Sequence, residues 1–201
     1  MKQINKVDTK ISSFEKIKTL SEEKWKNLEL EECWGFQIQK NSKWKDGLSE
    51  NELNEFENQL GFKFPDSLKN FYRTMNGLNK PGINISGNLK NEIPKFRSTF
   101  YSFPNDLELI KEKIDWILDS NNITEQNLID GKAPFIFPFF GHRFLIIDSN
   151  EQVLSMYGND IIPWADNLSK GIAKDIFDLY NGEVDLTNFE PVKYWLKEIE
   201  N

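Results

Sequence analysis

The sequence predicts an α+β domain with a largely antiparallel mixed sheet flanked by helices, and three observations carry that expectation. Residues 47 to 77 encode two short capped helices back to back. Residues 143 to 162 encode short apolar strands separated by turn formers, and helical apolar spacing returns from residue 167. A helix pair, then consecutive hairpins, then a helix is the order of an α+β fold rather than of alternating βαβ units. At 201 residues and 38% hydrophobic, the chain can bury about 70% of its unfolded surface in one core, so a single domain is expected.

Taken in order, residues 1 to 33 form a helical extension. Ile11, Phe14, Ile17 and Leu20 recur every three residues, and Ser21, Glu22, Glu23 and Lys24 resemble a second helix start. Trp34 to Gln39 alternates apolar and polar residues, as a strand does. Ser49 and Glu52 have the spacing of a capping box, with Leu48 and Leu53 placed for a hydrophobic staple. Leu53, Phe56 and Leu60 then share one helical face, and Gly61 suits a left-handed C-terminal cap. Pro65 suits the first turn of the next helix, where Leu68, Phe71, Tyr72 and Met75 form its apolar stripe before Asn76 and Gly77 end it. Residues 78 to 96 are rich in Pro, Gly and Asn and are expected to be a loop. Arg97 to Phe103 alternates enough for a strand. A helix from Asn105 or Asp106 carries Leu107, Ile110, Ile114 and Ile117 on one face and ends near Asn121. Pro134 to Phe140 is an aromatic run. Arg143 to Ile147, Val153 to Met156 and Ile161 to Ile162 are the hairpin strands, and a helix runs from about Asn167 through Ile172 and Ile176 to Leu179. Pro191 to Glu200 has the pattern of one further helix.

The helix-pair pattern GLS..EL..FE..LGF.FP..L..FY...NG resembles the N-terminal signature of the SUKH superfamily. Its members include fungal cell-wall regulators of the SMI/KNR type and bacterial immunity proteins that neutralise toxins. A second block, His142 to Leu145, Val153 to Met156, Asp160 to Ile162, Trp164, Asn167 and Leu168, resembles the superfamily's later strands and the start of its last helix. The resemblance implies a SUKH-like domain over residues 34 to 182, and the residue patterns outside it give the extension of residues 1 to 33 and a C-terminal helix within residues 183 to 201 packed on the domain. It also implies a function by class: a non-enzymatic binding protein, here an immunity protein that neutralises a cognate toxin by direct contact. The alternative it leaves open is a regulatory scaffold like the fungal members.

Charge bears on the partner. The formal net charge is −7, and only three of the 25 basic residues are arginine, namely Arg73, Arg97 and Arg143. A chain short of the forked guanidinium is poorly suited to read bases or clamp phosphates, so nucleic acid is not the expected partner. An acidic body suits a basic protein, such as a nuclease-type toxin. No stretch approaches the roughly 20 apolar residues that span a bilayer, and the polar first residues lack a signal peptide's apolar core, which leads to a cytoplasmic expectation with no membrane partner. The single cysteine, Cys33, agrees with a reducing compartment and reads as a small buried hydrophobe.

Nucleophilic catalysis needs a nucleophile, a base and an orienting group. The chain has one cysteine and one histidine, His142, in unrelated segments, so no catalytic residue is expected. A cleft built from Asp160, His142 and Arg143 is the rival enzymatic reading. No Cys or His pair has zinc-ligand spacing, no acidic loop has calcium spacing, and no glycine-rich phosphate loop is present, so neither metal nor cofactor is expected. The candidate partner-binding residues are Glu50, Glu55 and Glu57 on the first capped helix, and Asp160, Trp164 and Asp166 around the last strand. Glu57 matches a position where the superfamily carries Glu, which equally implies a structural hydrogen bond to the turn at residues 61 to 64. Phe135, Phe137, Phe139, Phe140 and Trp164 have two readings, core or exposed interface.

Overall fold

The computed structural model describes residues 7–29, 35–85, 95–177, 189–192 and 194–196. Its elements in chain order are α1 (Ile11–Trp25), β1 (Gly35–Gln37), α2 (Glu50–Leu60), α3 (Asp66–Thr74), β2 (Gly82–Ile85), β3 (Lys95–Arg97), α4 (Leu107–Ser120), α5 (Glu125–Ile129), β4 (Phe135–Phe140), β5 (Arg143–Ile147), β6 (Val153–Tyr157), β7 (Asp160–Ala165) and α6 (Leu168–Phe177). The class is α+β, with every strand pair antiparallel. The strands form two sheets, one of three strands in the order β1-β2-β3 and one of four in the order β4-β5-β6-β7.

The helix pair forms where the local signals place it. Ser49 accepts from the Glu52 amide while the Glu52 carboxylate accepts from the Ser49 N–H at 2.8 Å, closing the capping box. Gly61 ends α2 at φ 80, a left-handed conformation that costs glycine little. Pro65 stands one position earlier than expected, as the cap of α3 rather than inside its first turn. Gly47 holds the pair together by its lack of a side chain, since a Cβ there would lie 1.9 Å from the Arg73 carbonyl oxygen.

Strands β4, β5 and β6 are buried on both faces, and this explains the aromatic run, whereas the first half of β7 is exposed. One face places Phe137, Phe139, Leu145 and Val153 in the main core with Phe14, Phe56, Phe71, Tyr72 and Ile172. The other places Ile136, Phe144, Ile146, Leu154 and Met156 against Ile117, Leu118 and Leu128, with Val192 and Trp195. Strands covered on both sides read as continuous apolar runs. Pro138 and Pro163 sit in β4 and β7, the outer strands of the order, where a missing N–H is tolerated.

Four expectations change. α1 is one helix through Leu20 and Ser21, without a second start. Ser21 is buried inside it, donating to the Lys18 carbonyl and accepting from Trp44 Nε1 at 2.8 Å, so a tertiary partner supplies the bond a cap would have made. Phe14, Ile17 and Trp25 face the core while Ile11 and Leu20 are exposed. The stretch of residues 78 to 96 is not simply a loop, because it contributes β2 and β3, whose backbone groups pair with β1 and with each other. The strand expected from Arg97 to Phe103 is instead β3, ending at Arg97, followed by an irregular segment in which Phe100 bridges to Phe140. Finally α5 was not foreseen, although Thr124 and Asn127 form a capping box around its first turn. Cys33, Trp34, Leu179 and, of the helix expected from Pro191 to Glu200, residues 193 and 197 to 200 lie outside the described residues; residues 194 to 196 within that stretch form a turn.

Candidate partner-binding face

The six residues singled out from the sequence fall into three environments. Glu57 and Trp164 are buried, at 2% and 9% exposure. Glu57 Oε1 accepts from the Phe64 N–H at 2.8 Å, and its carboxylate pairs with Lys63 at 2.7 Å and Lys69 at 3.0 Å. Burial pushes this carboxyl up, but the Lys63, Phe64 and Lys69 hydrogen bonds outweigh it and hold it below the usual carboxylate range. The structural hydrogen bond to the α2–α3 turn, one of its two readings, is present. Glu57→Gln keeps an acceptor for Phe64 but loses the charge both lysines use, so it is expected to cost about 1–3 kcal/mol in urea unfolding; a loss under about 0.5 kcal/mol would show that the bonds are incidental.

Glu50 and Asp166 are ion-paired. Glu50 receives Arg73 Nε at 2.6 Å and Nη2 at 2.9 Å, tying α2 to α3. Asp166 takes Lys170 Nζ at 2.6 Å. Glu55 and Asp160 are exposed. The structure therefore does not gather the six into one patch.

Trp164 belongs to a charge cluster that no sequence signal announced. The Arg143 guanidinium carbon lies 3.4 Å from the centroid of its ring and Lys174 Nζ 3.9 Å from it. Arg143 Nε donates to Asp175 at 3.1 Å, its Nη1 to Ser155 Oγ at 2.7 Å, and Trp164 Nε1 to Asp175 at 3.0 Å. Burial pushes the Asp175 carboxyl up to about 6 against the opposing pull of Arg143, Trp164 and Lys174. The cluster bolts α6 to the sheet. It also commits Arg143, which the enzymatic reading would have needed beside Asp160 and His142. His142 is driven down to about 4 by burial, then by Arg143 and Lys113, so its ring is neutral near pH 7 and packs edge-on to Tyr157 at 6.2 Å.

An exposed acidic surface lies on α4. Its apolar positions turn Ile110 and Ile117 inward, which leaves Glu108, Glu112, Asp115 and Asp119 exposed at spacings of four, three and four, one stripe of the helix. Of these, only Glu108 is ion-paired among the described residues, with Lys111 at 3.1 Å. Trp116 borders the stripe, 38% exposed, and stacks edge-on against Tyr157, 67% exposed, with ring centroids 5.1 Å apart. Asn121 Nδ2 donates to the Ile117 and Gly158 carbonyls, fixing the end of α4 to the β6–β7 turn where Asp160 pairs with Tyr157. The acidic stripe was legible as the complement of the predicted Leu107, Ile110, Ile114 and Ile117 face. The meeting of Trp116 with Tyr157 was not, because those residues are distant in sequence.

A capped helix pair docked on an antiparallel four-strand meander, closed by a helix whose aspartate is bolted to the sheet, defines an α+β domain. The family model described as SMI1 / KNR4 family (SUKH-1) matches residues 47–182. The chain belongs to that family. No curated protein and no solved structure matches it.

Proposed function

We propose that the chain is a non-enzymatic immunity protein that acts in the cytoplasm and neutralises a basic, nuclease-type toxin by covering it. The observation that carries this reading is the acidic stripe on α4, exposed, largely without cation partners and flanked by the exposed pair Trp116 and Tyr157. Such a surface attracts a basic protein and offers it aromatic contact area at the centre of the encounter. Family membership supports a protein partner, and no helix among the described residues is long and apolar enough to cross a membrane.

The test is co-expression of the C-terminal domain encoded by the adjacent reading frame, with and without this protein, scored by growth. Rescue is expected for the wild type. Paired reversal Glu112→Lys with Asp119→Lys, or Asp160→Lys alone, is expected to slow association by roughly ten-fold or more at low salt. Glu50→Lys, altering a carboxylate already held by Arg73, serves as the comparison and should change association less. Unrelieved toxicity with the wild type, or recovery of signalling or wall-synthesis components in its place, would sink the immunity reading in favour of a regulatory scaffold.

A further inference from the structure

Beside the acidic stripe lies an apolar groove between the C-terminal end of α2, α4, α5 and β4. Leu60, Phe62, Ile114, Leu118, Leu128 and Phe135 form its walls, enclosing about 290 Å³. That is at the lower bound of the roughly 300–1,000 Å³ of small-molecule pockets, and it suits one large side chain better than a free ligand. Phe62 and Phe135 stack at 4.9 Å to make one wall, and Leu60, Phe62, Ile114 and Phe135 remain half-buried while packed on the two cores. A half-buried apolar concavity on a rigid helix-and-sheet frame is what an interface anchor occupies.

Its rim is acidic. Asp115 and Glu125 both line it, and neither is paired with a cation among the described residues, whereas the one lysine at the rim, Lys111, is held by Glu108. Glu55 lies one turn before the groove-lining Gln59 on the same side of α2, and Glu112 and Asp119 continue the charge along α4 beyond Asp115. An apolar socket ringed by carboxylates repels acidic segments and leaves polar ones with nothing to bury. We propose that this groove is the docking site for a partner segment that presents one large apolar side chain flanked by lysine or arginine, the apolar group seated against Phe62 and Phe135 and the cations facing Asp115, Glu125 and Glu55. The proposal rests on the immunity reading and names the part of the surface that performs it.

Fluorescence polarisation of three labelled hexapeptides against the full chain tests it: one with tryptophan between lysines and arginines, one with serine in place of that tryptophan, and one with tryptophan between glutamates. The basic tryptophan peptide is expected to bind at least ten-fold more tightly than either control. Leu60→Ser, and separately Asp115→Lys with Glu125→Lys, should each weaken it ten-fold or more, while Glu15→Lys on α1 should not. Thermal unfolding confirms that each variant is folded, and the charge variant, which touches no core residue, keeps the test decisive if Leu60→Ser is not. Equal binding of the serine peptide, undiminished binding by the charge variant, or no binding of the basic tryptophan peptide at millimolar concentration overturns the assignment. The growth assay separates the two levels: wild-type rescue that survives both groove variants defeats the groove alone, whereas failure of the wild type to rescue defeats the immunity reading.

Discussion

Arg143→Met is expected to destabilise the protein by about 3–5 kcal/mol at pH 7 to 8, because it takes from a buried carboxylate its hydrogen-bonded ion-pair partner and leaves only the weaker pull of Lys174. Asp175 is 3% exposed at its side chain and Arg143 10%. The substitution removes the two contacts from Nε to the carboxylate, the bond to Ser155 and the guanidinium over Trp164 together. The sign of the pH dependence follows from Asp175, whose folded-state value is pushed up to about 6 from an ordinary 3.8. A carboxyl with a raised folded-state value binds protons more tightly when folded, so its contribution to stability falls as pH rises through that interval. Without Arg143 the value rises further. The penalty of the variant should therefore be largest above pH 7 and shrink towards pH 4, where folded Asp175 is protonated in the variant and the wild type alike. Urea unfolding at pH 4, 5.5 and 7.5 measures this, and Asp175→Leu added to Arg143→Met should recover most of the loss. A penalty that stays constant with pH would mean that packing on Trp164, not the charge, is what Arg143 supplies.

Phe56→Ala should cost a similar amount, about 3–5 kcal/mol, as a cavity in the main core. Phe56 is fully buried, and its ring stands 4.5 Å from Phe103, 5.0 Å from Phe64, 5.3 Å from Tyr72 and 5.7 Å from Phe137. Those four neighbours belong to the segment before α4, the α2–α3 turn, α3 and β4, so no single element can collapse into the void. Phe56→Leu keeps most of the volume and should cost less than the alanine variant by several-fold. The unfolding midpoint in urea reads both, and an alanine variant losing under about 1.5 kcal/mol would show that the site relaxes and is not the junction of these elements.

The parts of the chain that followed the sequence are those whose signals are local. The capping box at Ser49 and Glu52, the left-handed Gly61 and the stripe from Leu68 to Met75 act within one or two turns, and they place α2 and α3 within a residue of expectation. The strands β5 and β6 were equally plain, because β-branched and aromatic residues between turn formers have few alternatives, whereas β7, expected at Ile161 and Ile162 alone, runs from Asp160 to Ala165. β2 and β3 were hidden, since a strand of three or four residues amid Pro, Gly and Asn exists only where a partner strand completes its hydrogen bonds. Ser21 misled for the same reason. Its hydroxyl suggests a helix start until Trp44 Nε1 arrives from another segment to bond it in the interior.

Of the candidate site, the sequence by itself determined the acidic character of the exposed helix faces and the non-local core that must form beneath them, because amphipathic spacing decides which side of a helix meets water. Only the tertiary structure decided which acids remain available. It withdrew Glu57 to the α2–α3 turn, joined Glu50 to Arg73 and Asp166 to Lys170, and left the α4 stripe beside Trp116, Tyr157 and the apolar groove. The physical reason is that a carboxylate's availability depends on what lies within a few ångströms of it, and those neighbours come from segments that only folding brings together.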